Sequence, residues 1–157
     1  MLESEAAVQR NITAASAWFE LGVKQQENER EKKALQALGR AVQLDPNHLA
    51  SWLALAVSYT NDGNRLETYR AIREWVQRND KYQTIIQQYP EEADANASYS
   101  QQLERLANCL IQMARSNPSE ELDADIQIAL AVLFNVNEVR ATFFGAAFGA
   151  TSISLGV

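Results

Sequence analysis

The stretch from Trp18 to Tyr59 decides the fold, because its apolar and small residues recur at a fixed interval. They run Trp18, Leu21, Gly22, then Ala34, Leu38, Ala41 and Pro46, and one 34-residue period later Trp52, Leu55, Ala56, Tyr59 and Ile72. The period also reaches backwards: Ala6-Ala7-Val8-Gln9-Arg10-Asn11 aligns with Arg40-Ala41-Val42-Gln43-Leu44-Asp45. Within each period the spacing is helical, interrupted by one polar turn and closed by one stop signal. Glu27-Asn28-Glu29 and Asp62-Gly63-Asn64 are the turns, and Asp45-Pro46-Asn47 is the stop, since proline disfavours helix in the residue before it.

Two antiparallel helices per 34 residues, with a Trp-x-x-Leu-Gly/Ala-x-x-Tyr opening, is the tetratricopeptide pattern. The expected fold is all-α: a right-handed superhelix of tetratricopeptide-like antiparallel helix pairs, an incomplete α-α solenoid. The first helix is expected to begin after Asn11 or Thr13, either of which can cap it, and to run to about Gln26. Helices over 30–44, 49–61 and 65–78 follow. Gly22 and Ala56 allow each helix A to lie close to its own helix B, and Ala41 gives the next repeat room. Trp18 and Trp52, at matching repeat positions, are expected in the core. The second repeat is less regular, with Thr68, Trp75 and Asp80 where the first has Ala34, Ala41 and Pro46.

From Lys81 the period breaks. A short helix over 82–88, an acidic loop over 90–97 and a helix over 99–115 read as a distorted repeat. A further helix A follows Asn117-Pro118-Ser119, with Ile126, Ala129, Leu130, Leu133 and Phe134 as its apolar stripe, and Gln127, Leu130, Ala131 and Phe134 in the places of Trp52, Leu55, Ala56 and Tyr59. The organisation is thus the end of a preceding repeat (1–12), two repeats (13–47 and 48–80), an irregular repeat (81–117), one helix A (118–138) and an apolar tail outside the repeat pattern (139–157), uncharged from Ala141 on.

The 157 residues are 46% hydrophobic, with 14 basic against 20 acidic side chains and a net charge of −6. That balance argues against binding nucleic acid and favours basic ligands. A lone cysteine, Cys109, in an apolar string reads as an inert packed thiol in a reducing compartment. His48, the one histidine, starts a helix after Pro46-Asn47 with no orienting partner in view, so it reads as exposed or capping. Metal-ligand spacing and a phosphate-binding glycine loop are both missing. The chain is expected not to be an enzyme and to need no cofactor. Its N-terminus shows no secretory signal, and the tail falls short of a membrane span, so a cytosolic protein with no direct membrane insertion is expected.

Candidate binding residues lie on helix A. Val57 and Asn61 fall on the side of the helix away from Leu55 and Tyr59, and an asparagine offers both donors and an acceptor to an extended peptide backbone. A generic helix-ending asparagine is the competing account. Asn135, near the end of the last helix A, raises the same question. Glu27, Glu29 and Asp62, at the ends of helix A, are either ordinary turn charges or an attraction for a basic peptide side chain.

The string Trp52-Leu-Ala-Leu-Ala-Val-Ser-Tyr-Thr-Asn61, with Gln25-Gln26-Glu27-Asn28-Glu29 and Ala129-Leu-Ala-Val-Leu-Phe-Asn135, resembles the family of peroxisomal targeting signal receptors. The resemblance covers about 5–138. It implies a cytosolic receptor, cycling to the peroxisomal membrane, for C-terminal Ser-Lys-Leu-type tripeptides of matrix proteins. It implies that Val57, Thr60 and Asn61 contact the cargo, with most other contacts on later repeats, and that docking proteins at the membrane are met through regions missing here. After Glu138 the sequence departs from the family's pattern, which suggests a truncated or mis-spliced product or an incomplete gene model. A generic tetratricopeptide scaffold and a truncated non-functional product are the alternatives. A chaperone clamp fits poorly, because Phe19 and Val23 stand where it would want Lys and Asn.

Overall fold

A computed structural model describes residues 2–90, 95–116 and 123–137. Every regular element among them is helical: α1 (Leu2–Glu27), α2 (Glu31–Leu44), α3 (Leu49–Asn61), α4 (Arg65–Gln77), a 3-10 turn (Asp80–Tyr82), α5 (Gln83–Ile86), α6 (Tyr99–Arg115) and α7 (Ala124–Asn137). The chain divides into two compact units, Met1–Arg78 and Asn79–Val157. The first holds helices α1 to α4 and the second the rest.

In the first unit α1 packs on α2, α2 on α3 and α3 on α4, as stacked hairpins require. The repeat is written in the backbone as well as the side chains. At the end of α1, Arg30 N–H donates to Gln25 O (2.8 Å) and Glu29 N–H to Gln26 O (3.0 Å); at the end of α3, Asn64 N–H donates to Tyr59 O (2.9 Å) and Gly63 N–H to Thr60 O (3.1 Å). Both are Schellman endings, which need a left-handed residue in the middle. Gly63 supplies it at φ +76°, whereas the first repeat uses Glu29 at φ +58°. The helices that follow differ in the same way: Asn64 caps α4 by accepting from Glu67 N–H, while Arg30 gives α2 no side-chain cap.

Small residues set the hairpin spacing. A Cβ on Gly22 would stand 2.6 Å from Leu38 Cγ, so α1 and α2 approach closely at that point. Ala34, Leu38, Ala41 and Ala56 are fully buried, and Lys32, Lys33, Gln36 and Arg40 face water as the stripe predicts. Adjacent repeats are joined by a polar link: Gln26 Nε2 on α1 donates to Ala54 O (2.8 Å) and to the buried Ser58 Oγ (2.6 Å) on α3.

Three expectations are corrected here. The first helix does not start at Asn11 or Thr13: α1 is continuous from Leu2, and the Thr13 hydroxyl donates back to Gln9 O (3.0 Å) inside the helix instead of capping one. Trp18 is 38% exposed and Leu21 43%, whereas Leu55, the counterpart of Leu21, is buried. Trp52 is half-buried, its Nε1 donating to Pro46 O (2.7 Å) and its ring facing the Arg78 guanidinium at 5.8 Å. The core tryptophan is Trp75 on α4, only 2% exposed. In the irregular second repeat, Thr68 is fully buried because its hydroxyl donates to Asn64 O (2.8 Å), which satisfies the polar atom locally.

In the second unit, α5 packs on α6 and α6 on α7. The expected helix over 82–88 is shorter, a 3-10 turn running into the single turn Gln83–Ile86. Helix α6 begins with a reciprocal capping box between Ser98 and Gln101 and buries Leu103, Leu106, Leu110 and Met113. Helix α7 starts at Ala124 and buries Ile126, Ala129, Leu130, Leu133 and Phe134. Ala131 is exposed although its counterpart Ala56 is buried, and the apolar tail over 139–157 lies outside the described residues.

Asp123 pins the start of α7. Its Oδ1 accepts from Asp125 N–H (3.0 Å), and its Oδ2 accepts from the Tyr82 hydroxyl (2.8 Å) and lies 3.5 Å from Lys81 Nζ. Burial pushes the Asp123 carboxyl up, but these partners together outweigh it and hold the group below its ordinary value. Tyr82 moves the other way: burial, then the carboxylate it bonds, raises its phenol.

Candidate functional site

The candidate site gathers at the C-terminal end of α3 and the turn that closes α1. Asn61 is the last residue of α3, exposed, and its Nδ2 donates to Glu31 Oε1 at 3.0 Å. Glu31 opens α2, is half-buried, and favours the positive end of that helix. Its second oxygen, Oε2, is shielded from solvent and has no hydrogen-bond partner, as is Oε1 of Gln25 in the last turn of α1. Val57, one turn before Asn61, is half-buried.

Thr60 is spent differently from Asn61. Its hydroxyl donates to Ala56 O (2.8 Å) and lies 3.4 Å from the Thr68 hydroxyl, so its donor is used inside the α3–α4 hairpin. Glu27, Glu29 and Asp62 are all exposed at helix A ends. Nearby, the Tyr59 phenol is raised by burial first and then by the charges of Glu67 and Asp62. In the second unit, Asn135 is exposed on α7.

The remaining reactive side chains are occupied structurally. His48 precedes α3, its ring lies tilted against Phe19 of α1 with centroids 5.1 Å apart, and its Nδ1 shares a hydrogen bond with the buried Ser51 Oγ (2.7 Å). Cys109 is 2% exposed, and burial pushes its thiol up to about 11, with the charge of Arg105 one turn away pulling weakly the other way. That arginine is a basic neighbour the sequence reading did not see. Among the described residues, no group of three or more His, Cys, Asp and Glu could hold a metal ion, and no helix is long and apolar enough to cross a membrane.

Sequence reasoning singled out Asn61 as a candidate and did not name the partner it has in the structure. Glu31 lies on the other hairpin, and only the two-helix turn that brings the start of α2 beside the end of α3 joins them. Gln26 was missed for the same reason, although a glutamine in the last turn of a helix A is a signal for a side chain reaching the next repeat.

Stacked helix pairs with a 34-residue period define a tetratricopeptide-type repeat protein. No family model matches the chain. Curated relatives do: the peroxisomal targeting signal receptor of Yarrowia lipolytica is 36% identical over 140 residues, 87% of this chain and 23% of that protein. The human PEX5-related protein is 34% identical over 143 residues, covering 87% and 23% respectively. The peroxisomal targeting signal receptor of Komagataella phaffii is 32% identical over 143 residues, covering 85% and 23%. The chain is thus a relative of peroxisomal targeting signal receptors over most of its own length, and it spans under a quarter of theirs.

Proposed function

We propose that this chain forms part of a receptor for C-terminal Ser-Lys-Leu-type peptides of proteins bound for the peroxisomal matrix, acting by recognition and not by chemistry. The observation that carries the reading is the similarity to proteins named as peroxisomal targeting signal receptors, which covers 87% and 85% of this chain in two of them. The exposed Asn61 carboxamide supports it, since an amide that can donate and accept matches an extended peptide backbone without demanding a particular side chain. Val57 lies along the same cargo path, Thr60 shapes the hairpin beneath it, and Asn135 offers a second amide. Glu27, Glu29 and Asp62 lend negative charge toward a basic cargo residue. The receptor works in the cytoplasm and cycles to the peroxisomal membrane, meeting docking proteins through other parts of the whole protein.

The test is a fluorescent peptide ending in Ser-Lys-Leu, measured by anisotropy against the chain alone and against the chain continued with the following repeats of the Yarrowia receptor. Weak binding alone, strong binding when continued, and loss of affinity on amidating the peptide terminus are expected. Equal binding of the free and amidated peptides by the continued protein contradicts the reading.

A further inference from the structure

We propose that Glu31 is a positioning residue for Asn61: its carboxylate holds the Asn61 carboxamide in one orientation, leaving Oδ1 and the second N–H to meet a peptide backbone. This rests on the reading of Asn61 as a peptide contact. The 3.0 Å bond from Asn61 Nδ2 to Glu31 Oε1 fixes which end of the amide faces the carboxylate. An ionised carboxylate only accepts, so a flipped amide would lose the bond and set two acceptors against each other. What remains is one acceptor and one donor, the pair an extended peptide presents in complement.

Glu31 is itself held. It is the first residue of α2, and the chain before it is fixed by Arg30 N–H on Gln25 O (2.8 Å) and followed by Ala34 N–H on Arg30 O (2.9 Å). Its Oε2 is shielded from solvent and unpartnered, so a cationic ligand cannot reach that oxygen with the side chain as placed. Glu31 therefore acts through Asn61 and not as a charge facing the ligand. An exposed asparagine without this partner loses rotamer freedom on binding, whereas a held one has little left to lose; for one side chain the difference is roughly three- to tenfold in affinity.

The experiment uses the full chain and a peptide ending in Ser-Lys-Leu, titrated to millimolar concentration by NMR, with Asn61→Ala, Glu31→Ala, Glu31→Gln and Asn61→Ala/Glu31→Ala. Asn61→Ala should weaken binding, Glu31→Ala should weaken it roughly three- to tenfold, and Glu31→Gln, which keeps an acceptor for Nδ2, should stay within about twofold of wild type. Glu31→Ala should add nothing to Asn61→Ala. If Asn61→Ala binds normally, or the wild type does not bind, the peptide-contact reading falls and takes this inference with it. If Asn61→Ala weakens binding while Glu31→Ala is neutral, equals Glu31→Gln, or adds fully to Asn61→Ala, the reading stands and the positioning role is overturned.

Discussion

Replacing Gly22 with alanine sets a steric cost against a helix-propensity gain, and the structure says which is larger. The added methyl would lie 2.6 Å from Leu38 Cγ, 2.7 Å from Leu38 Cδ2 and 3.4 Å from Leu38 N. Carbon atoms rest at about 3.5–4.0 Å, so the overlap is close to an ångström. Leu38 is fully buried, and the clash falls on its branch point as well as its tip, so a simple swing of the side chain does not relieve it. Overpacking of this kind costs about 1–3 kcal/mol, and the severity puts this site near the upper end. Alanine returns about 1 kcal/mol of helix propensity. The net loss is about 2 kcal/mol, which lowers the urea midpoint by about 1 M for a slope of about 2 kcal/mol per M.

Gly39 is the control, lying mid-way along α2 with nothing within 4 Å of the position its Cβ would take. Gly39→Ala should gain about 1 kcal/mol and raise the midpoint by about 0.5 M. In the Gly22→Ala/Leu38→Ala double variant the methyl has room while the propensity gain remains, so the combined loss should fall short of the sum of the singles by the whole steric cost, about 3 kcal/mol. Urea melts followed by circular dichroism read the wild type, the three single variants and the double variant. A Gly22→Ala chain as stable as wild type, or additivity in the cycle, refutes the close approach of α1 and α2.

Three other outcomes follow from the same coordinates. Glu29→Gly should stabilise the chain by about 0.5–1 kcal/mol, because φ +58° strains a residue with a Cβ and the next repeat already uses Gly63 there; a loss of stability in urea would contradict the Schellman assignment. The Cys109 thiol should ignore Ellman's reagent at mildly alkaline pH until the chain is unfolded. Its folded value near 11 exceeds its ordinary 9.0, so the stability it lends is intact below pH 9 and fades as pH rises toward 11; rapid native labelling would count against burial. For Asp123 the sign is opposite: its folded value lies below the ordinary 3.8, so its contribution is present above that value and disappears as acid takes pH through the folded one. Tyr82→Phe should therefore cost about 1–2 kcal/mol at neutral pH and shrink the stability lost on acidification, and an unchanged acid loss would remove the Tyr82–Asp123 bond from the account.

Much of the fold was legible because its signals are local. Asp45-Pro46 closes α2, Asp62-Gly63-Asn64 turns α3 into α4, and Leu49–Asn61 and Tyr99–Arg115 match the reading from the residues. What failed depended on neighbours the sequence does not show. Trp18 sits at a core position of the repeat pattern, yet it lies 38% exposed on α1. Trp75, in the place of a small residue, is buried because the irregular repeat has room for an indole where the regular one has room for a methyl. Thr13 has a cap-former's side chain but spends it within α1. At the site, Asn61 could be picked out by residue type and face, whereas its bond to Glu31 and the link from Gln26 to Ser58 needed two hairpins in register.

The most direct test of the central claim is to map a peptide ending in Ser-Lys-Leu onto the isotopically labelled chain by two-dimensional NMR. The account predicts that the largest shifts fall at Val57 and Asn61 and spread to Glu31 and the end of α1. Shifts confined to α6 and the turn before it, or the same pattern with a peptide whose terminal carboxylate is blocked, would contradict it.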